Sequence, residues 1–134
     1  MLDTTTMVAL VKNLDGAAAR QRAIASNVAN IDTPNYKRLV VQFEDQLRKA
    51  LMDKGELALW TTHPGHISNL PELGQISPKV VRDESTAMRT DGNNVDIEQE
   101  MIELAANTLN YQISSQQLNT RLAMLRYAIN EGRR

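Results

Sequence analysis

Cysteine is missing altogether from these 134 residues, and with it go disulfides and thiolate zinc sites. Large rings are nearly as scarce. Aromatic residues make up 4% of the chain, with Phe43 and Trp60 the single members of their kinds. A chain so poor in bulky side chains, its apolar residues gathered into helical stripes, would build a thin core if it folded alone, so assembly with other chains is expected. No excess of one charge is present either. With 15 Lys and Arg against 16 Asp and Glu, the formal net charge is −1, which gives no electrostatic reason to expect nucleic acid or an acidic membrane. No apolar run approaches the ~20 residues of a membrane span. The first sixteen residues lack a basic stretch, a sustained apolar stretch and a small-residue cleavage site, so no secretory signal is expected.

Reactive patterns are thin as well. His63 and His66 bracket a proline and a glycine with no third ligand nearby, which reads as an exposed loop rather than a metal pair. Glu98, Glu100 and Glu103 fall in the first turns of a predicted helix, where the helix dipole and solvation account for them without acid/base chemistry. No Ser/His/Asp or Cys/His arrangement and no glycine-rich phosphate loop can be named. The basic groups Tyr36-Lys37-Arg38 and Arg133-Arg134 are too few for a nucleic-acid footprint and read as solvated surface. The expectation is therefore no enzyme, no metal, no cofactor, no nucleic acid and no small-molecule substrate.

What the chain does have is two heptad seams. Ile97, Met101, Leu104, Thr108, Tyr111, Ser115, Leu118, Leu122, Leu125 and Ile129 alternate steps of four and three without a slip, a mean period of about 3.5. Neither proline nor glycine interrupts the run from Asn94 to Asn130. Asp96 with Gln99 can close a capping box at its start, and Arg121, Arg126, Arg133 and Arg134 suit its other end. The second seam, Met7, Leu10, Leu14, Ala17, Gln21, Ile24, Val28 and Ile31, follows the same rule, with Thr4, Thr5 or Thr6 as N-cap. Gly16 weakens this helix by about 1 kcal/mol relative to alanine. Asn30, as a left-handed cap, with Asp32, Thr33 and Pro34, ends it.

Between the seams, Leu39, Val40 and Val41 lead into a short amphipathic helix marked by Phe43, Leu47, Ala50 and Leu51 and closed by Gly55. From Glu56 to Gly92 the periodicity fades among Pro64, Gly65, Pro71, Gly74 and Pro78, and only Leu57–Trp60 and Lys79–Arg82 qualify as strands. Asp91, Gly92, Asn93 and Asn94 form the turn into the last helix. The predicted fold is mainly α, with long N- and C-terminal helices paired as an antiparallel coiled coil and an extended irregular middle that carries a short helix or hairpin. Its parts are residues 1–34, 35–93 and 94–134, the two ends forming one structural domain.

Sliding the seams past each other gives one register in which small faces small. It sets Met7 against Leu125, Leu10 against Leu122, Leu14 against Leu118, Ala17 against Ser115, Gln21 against Tyr111, Ile24 against Thr108, Val28 against Leu104 and Ile31 against Met101. The amide of Gln21 would be satisfied by the Tyr111 hydroxyl; left unpaired it would cost about 1 to 3 kcal/mol. The seams could simply bury each other within one subunit, but Val8, Val11, Leu109 and Ile113 lie off them and need a second cover, which favours burial between subunits.

Two segments resemble a known family. Ala25-Ser26-Asn27-Val28-Ala29-Asn30-Ile31-Asp32-Thr33-Pro34-Asn35-Tyr36-Lys37, with Phe43 following, is similar to the N-terminal signature of the bacterial flagellar rod and hook proteins. Met88-Arg89-Thr90-Asp91-Gly92-Asn93-Asn94-Val95-Asp96-Ile97-Glu98-Gln99-Glu100-Met101, followed by Ala106-Asn107 and Tyr111-Gln112, resembles the C-terminal signature of the proximal rod member of that family. Asn35 stands where the family usually has glycine, and asparagine is the residue next most able to take positive φ. The resemblance implies a structural subunit of the proximal rod, polymerising helically through its terminal helices into a drive shaft and export channel in the periplasm, and exported without a cleaved signal. It also implies the partners: further copies of itself, the other rod proteins, the rod adaptor, the inner-membrane (MS) ring and the flagellar type III export gate. On this reading Leu10, Leu14, Gln21, Ile24, Val28, Met101, Leu104, Tyr111, Leu118, Leu122 and Leu125 are interface residues. Asn27, Asn30, Asp32, Pro34, Tyr36, Asp91, Gly92 and Asn93 form the turns. A small cytoplasmic coiled-coil adaptor or chaperone, holding a partner helix in its groove, is the alternative.

Overall fold

Proline-free stretches with helical periodicity on each side of a proline- and glycine-punctuated middle produce two long helices here. The computed structural model describes residues 4–52, 73–85 and 89–131. Helix α1 spans Thr4–Ala29, strand β1 Leu39–Gln42, helix α2 Glu44–Met52, strand β2 Lys79–Arg82 and helix α3 Ile97–Glu131, with a single 3₁₀ turn at Leu73–Gln75. Helices α1 and α3 pack against each other, as the paired seams predict. Strand β2 forms where the sequence suggested one. Its partner was not foreseen: Leu39–Gln42, read as a lead-in to the short helix, pairs antiparallel with β2, setting Leu39 against Arg82 and Gln42 against Lys79. A Leu-Val-Val run is β-prone, but only a second strand from forty residues away gives it a ladder. The expected strand at Leu57–Trp60, His63, His66 and the end of the short helix at Gly55 lie outside the described residues.

The apolar core does not run along the helix pair. Ala19, Ala23, Val41, Phe43 and Ile76 form one buried cluster, with Leu39 and Leu47 packed on it, so the hairpin and the start of α2 sit on a face of α1 made of small residues. Gly16 explains the close approach. A Cβ added there would lie 2.5 Å from Cδ1 of Phe43, whose ring is 2% exposed. The glycine that weakens α1 as a helix is thus the notch that admits the chain's only phenylalanine.

The helix pair adopts a different register from the apolar-layer one. Asn13 Nδ2 donates to Asn110 Oδ1 (3.1 Å) and Ser114 Oγ (2.7 Å), Asn107 Nδ2 to the carbonyl of Ala17 (2.9 Å) and to Gln21 Oε1 (3.1 Å), and Asn27 Nδ2 to Glu100 Oε2 (3.1 Å). These bonds shift α3 by nearly a heptad and turn it so that Glu100, Asn107 and Ser114, all buried, face α1. Gln21 meets Asn107 rather than Tyr111. Of the α3 seam, Leu104, Ser115, Leu118 and Leu125 are half-buried, whereas Ile97, Met101, Thr108, Tyr111, Leu122 and Ile129 are exposed. Pairing the buried N–H groups of Asn27 and Asn107 and the Glu100 carboxylate fixes the setting of α3, because an unpaired buried polar group costs more than an apolar side chain left on the surface. Of the buried side-chain N and O atoms of the described residues, only Asn107 Oδ1 is without a partner.

Candidate functional site

The two signature segments meet in one polar cluster at the end of the helix pair. Asn27, at 0% exposure on the last turn of α1, uses its amide as a strand partner: Oδ1 accepts from the N–H of Leu39 (2.8 Å) and Nδ2 donates to its carbonyl (2.9 Å). Tyr36 closes over it, its hydroxyl 3.1 Å from Ser26 Oγ and donating to Asn27 Oδ1 at 3.4 Å. The turn that follows α1 is tied down from across the chain. Asn93 Nδ2 donates to the carbonyls of Asn30, Ile31 and Thr33 at 2.9 to 3.1 Å, and Arg89 adds a bond to Ile31. These carbonyls lie just past the helix end at Ala29, in a turn that also bonds itself from Thr33 N–H to Asn30 O (3.0 Å).

Asn30 is not the left-handed cap. Its side chain donates back to Ser26 O, and the one non-glycine residue with positive φ is Asn35, at 59°, in the described residues. The asparagine in the usual glycine position does adopt the expected conformation, and its N–H donates to Asp91 O at 2.9 Å. Gly92, at φ 81°, faces it so closely that a Cβ there would lie 2.5 Å from Asn35 Oδ1. Asp32 and Pro34 are exposed.

Asn94 completes the hairpin. Arg38 O accepts from Asp83 N (2.8 Å), while the other half of that rung is carried by the Asn94 amide, which accepts from Arg38 N (2.7 Å) and donates to Asp83 O (2.9 Å). Two residues on, Asp96 caps α3 by accepting from Glu98 N (2.9 Å). The capping box does not close, because Gln99 bonds Glu103 instead.

An ion pair sits beneath this loop work. Glu100 is fully buried and pairs with Arg38 Nε at 2.5 Å, while Arg38 Nη2 reaches Glu103 at the same distance. Burial opposes the Arg38 charge, but the bonds to the two glutamates outweigh it and raise its pKa above the usual arginine value. The backbone N–H and hydroxyl of Ser85 hold the Asp83 carboxyl below the usual carboxylate range. The sequence puts Arg38 and Glu100 among solvated groups, whereas the structure leaves their side chains 14% and 0% exposed. The signal that could have found Glu100 is the seven-residue spacing of Glu100, Asn107 and Ser114, a polar row running beside the apolar seam.

The named turn residues Asn27, Asn30, Tyr36, Asp91, Gly92 and Asn93 are thus brought together by bonds within the chain. The named interface residues are spread. Ile24 is buried; Leu10, Leu14, Val28, Leu104, Leu118 and Leu125 are half-buried; Gln21, Met101, Tyr111 and Leu122 are exposed. A second apolar stripe lies on the far side of α3 from α1, where Ile102 (71% exposed), Leu109, Ile113, Met124 and Tyr127 fall within an arc of about 60°. An exposed apolar stripe of this length is the kind of surface that marks a protein–protein contact.

Among the described residues no group of three or more His, Asp or Glu is placed to hold a metal ion, and no helix is long and apolar enough to cross a membrane.

Comparison with known proteins agrees with the placement of the motifs. Residues 14–37 match a family model described as flagella basal body rod protein. The flagellar basal body rod protein FlgB of Borreliella burgdorferi is 39% identical over 104 residues, covering 75% of this chain and 77% of that protein. FlgB of Bacillus subtilis is 33% identical over 127 residues, covering 92% and 95%. FlgB of Salmonella typhimurium is 34% identical over 114 residues, covering 78% of each. With its two signatures closed into one clasp and this likeness running over most of its length, the chain belongs to the FlgB family of flagellar basal body rod proteins.

Proposed function

We propose that this protein, a structural subunit of the flagellar basal body rod and not an enzyme, forms the proximal part of that rod by packing the outer faces of α1 and α3 against neighbouring subunits. The single observation that supports the reading is the outer face of α3, where Ile102, Leu109, Ile113 and Met124 are each more than half exposed. An interface that joins unlike patches on successive copies, when its rotation does not close into a ring, generates an open helical array such as a shaft or tube. The protein assembles with itself and with other rod components. Contacts with the rod adaptor, the inner-membrane ring and the export gate, passage through the type III apparatus without a cleaved signal, and a periplasmic position for the assembled rod belong to the same proposal. So does the division into a terminal-helix domain built from residues 1–34 and 94–134 around residues 35–93.

Leu109→Asp tests it. Leu109 is 59% exposed in the outer stripe of α3, so a charge there can be tolerated by the free chain but not in a dry interface between subunits. The variant should be synthesised at the normal level, be absent from isolated basal bodies and leave cells unable to swim. Normal swimming would overturn the proposal. The alternative adaptor role has no observation here that favours it over the family assignment.

A further inference from the structure

The two strands of the hairpin have unlike outer edges. The N–H of Asp83 donates to Arg38 O (2.8 Å), so Asp83 and Val81 turn their backbone groups toward β1, while Val80 and Arg82 turn theirs away. On the β1 side, the outward N–H and C=O of Leu39 are both taken by the Asn27 amide. On the other side, among the described residues, the sheet ends at β2. Val80 pairs with buried Val41 and so faces α1, yet it is 48% exposed. Beside it runs a mostly apolar groove of about 400 Å³ lined by Ala19, Arg22, Ala23, Leu39, Pro78 and Val80. An open edge next to such a groove is where an extended segment adds to a sheet.

One segment has both the pattern and the tether. Leu57-Ala58-Leu59-Trp60 is the remaining run that qualifies as a strand, and a strand needs a ladder for its backbone groups. It belongs to residues 53–72, which join the end of α2 at Met52 to the 3₁₀ turn at Leu73–Gln75. That turn touches α1 and α2 and lies just before β2, so both ends of the joining stretch are anchored next to the hairpin. Five steps of ~3.3 Å carry the chain from Met52 to Leu57, enough to run back along the ~14 Å of α2 toward the sheet. A segment tethered this closely has an effective concentration in the millimolar range, which a second copy would have to exceed.

We infer that Leu57–Trp60 of the same chain adds to the outer edge of β2 as a third strand, bonding the backbone of Val80 and Arg82 and laying Leu57 and Leu59 over the groove. Side chains alternate along a strand, so Ala58 and Trp60 take the opposite face, where the indole N–H keeps its water. A third strand also brings the hairpin to the size at which a sheet is stable in its own right. The inference concerns the single subunit and holds whether or not the rod reading does.

Amide exchange and methyl NOEs of the full-length free chain test it. Val80 and Arg82 should exchange at least about tenfold more slowly than unprotected amides, at every protein concentration, and NOEs should join the methyls of Leu57 or Leu59 to those of Ala19 or Ala23. The double variant Leu57→Asp with Leu59→Asp should return Val80 and Arg82 to fast exchange while Val81, which bonds β1, stays protected. Unprotected Val80 and Arg82 in the unsubstituted chain, or protection that survives the two aspartates, would overturn the inference. So would protection that appears only as concentration rises, since a second copy would then be the occupant. If the double variant loses Val81 protection as well, the NOEs of the unsubstituted chain decide: their presence supports the third strand and their absence removes it.

Discussion

Replacing Gly16 by alanine separates two effects of opposite sign. Helix propensity favours alanine by about 1 kcal/mol, but the new Cβ would sit 2.5 Å from Phe43 Cδ1 in the buried cluster, and overpacking a filled core costs about 1 to 3 kcal/mol. Phe43 is pinned between Ala19, Ala23 and Val41, so the steric term should win. Gly16→Ala is expected to lower the urea midpoint, and an unchanged or higher midpoint would show that the ring can move aside. Glu100 permits a second test. Glu100→Met leaves the largely buried Arg38 with only the half-exposed Glu103, and breaking a buried pair in this way should cost about 3 kcal/mol. Adding Arg38→Met should return part of that loss, because the orphaned charge goes too. A double variant as unstable as the sum of the two singles would mean that the pair is not coupled.

Helix α3 has two faces, and they call for different substitutions. Leu118 is half-buried on the side toward α1, while Ile113 is 61% exposed on the far side. Leu118→Asp should lower the stability of the isolated chain by about 1 to 3 kcal/mol. Ile113→Asp should change it by less than about 0.5 kcal/mol, yet exclude the chain from the basal body. Thermal melts of both variants, set beside their recovery in basal bodies, check the pair of expectations. If Ile113→Asp melts early, the outer face is covered within the subunit and the interface has been put on the wrong side. Strand β1 behaves differently from the helices. Its ladder depends on β2 and on the side chains of Asn27 and Asn94, so it has no existence apart from the clasp.

Taken whole, the molecule is a clasp at one end and an open helix pair beyond it. The ionisable groups of the clasp respond to pH in opposite directions. Asp83 is held below the ordinary carboxylate range, so its contribution to stability is present above that range and is lost as pH falls through its lowered value. Arg38 is shifted upward, so its contribution is in place at all pH values below the usual arginine value. Asp83→Asn should therefore flatten the acid limb of a plot of urea midpoint against pH, with the variant and parent curves converging at low pH. Because Asp83 is solvated, the separation at neutral pH should be small; parallel curves at every pH would count against the bonds to Ser85.

The two long helices, the strand at Lys79–Arg82 and the turn around Gly92 could be read from the residues because each depends on neighbours close in sequence: period, caps and breakers. The family could be read as well, since its two signatures are local strings. The register of α1 on α3, the pairing of β1, the burial of Glu100 and the reason for Gly16 could not, because each depends on which polar group from a distant segment finds a partner. Heptad apolar residues specify that two helices meet, with little to choose between registers a heptad apart. Asn13, Asn27 and Asn107 make that choice through hydrogen bonds that exist only once α3 has come back against α1, and in making it they turn Ile97, Met101 and Tyr111 of the seam toward solvent.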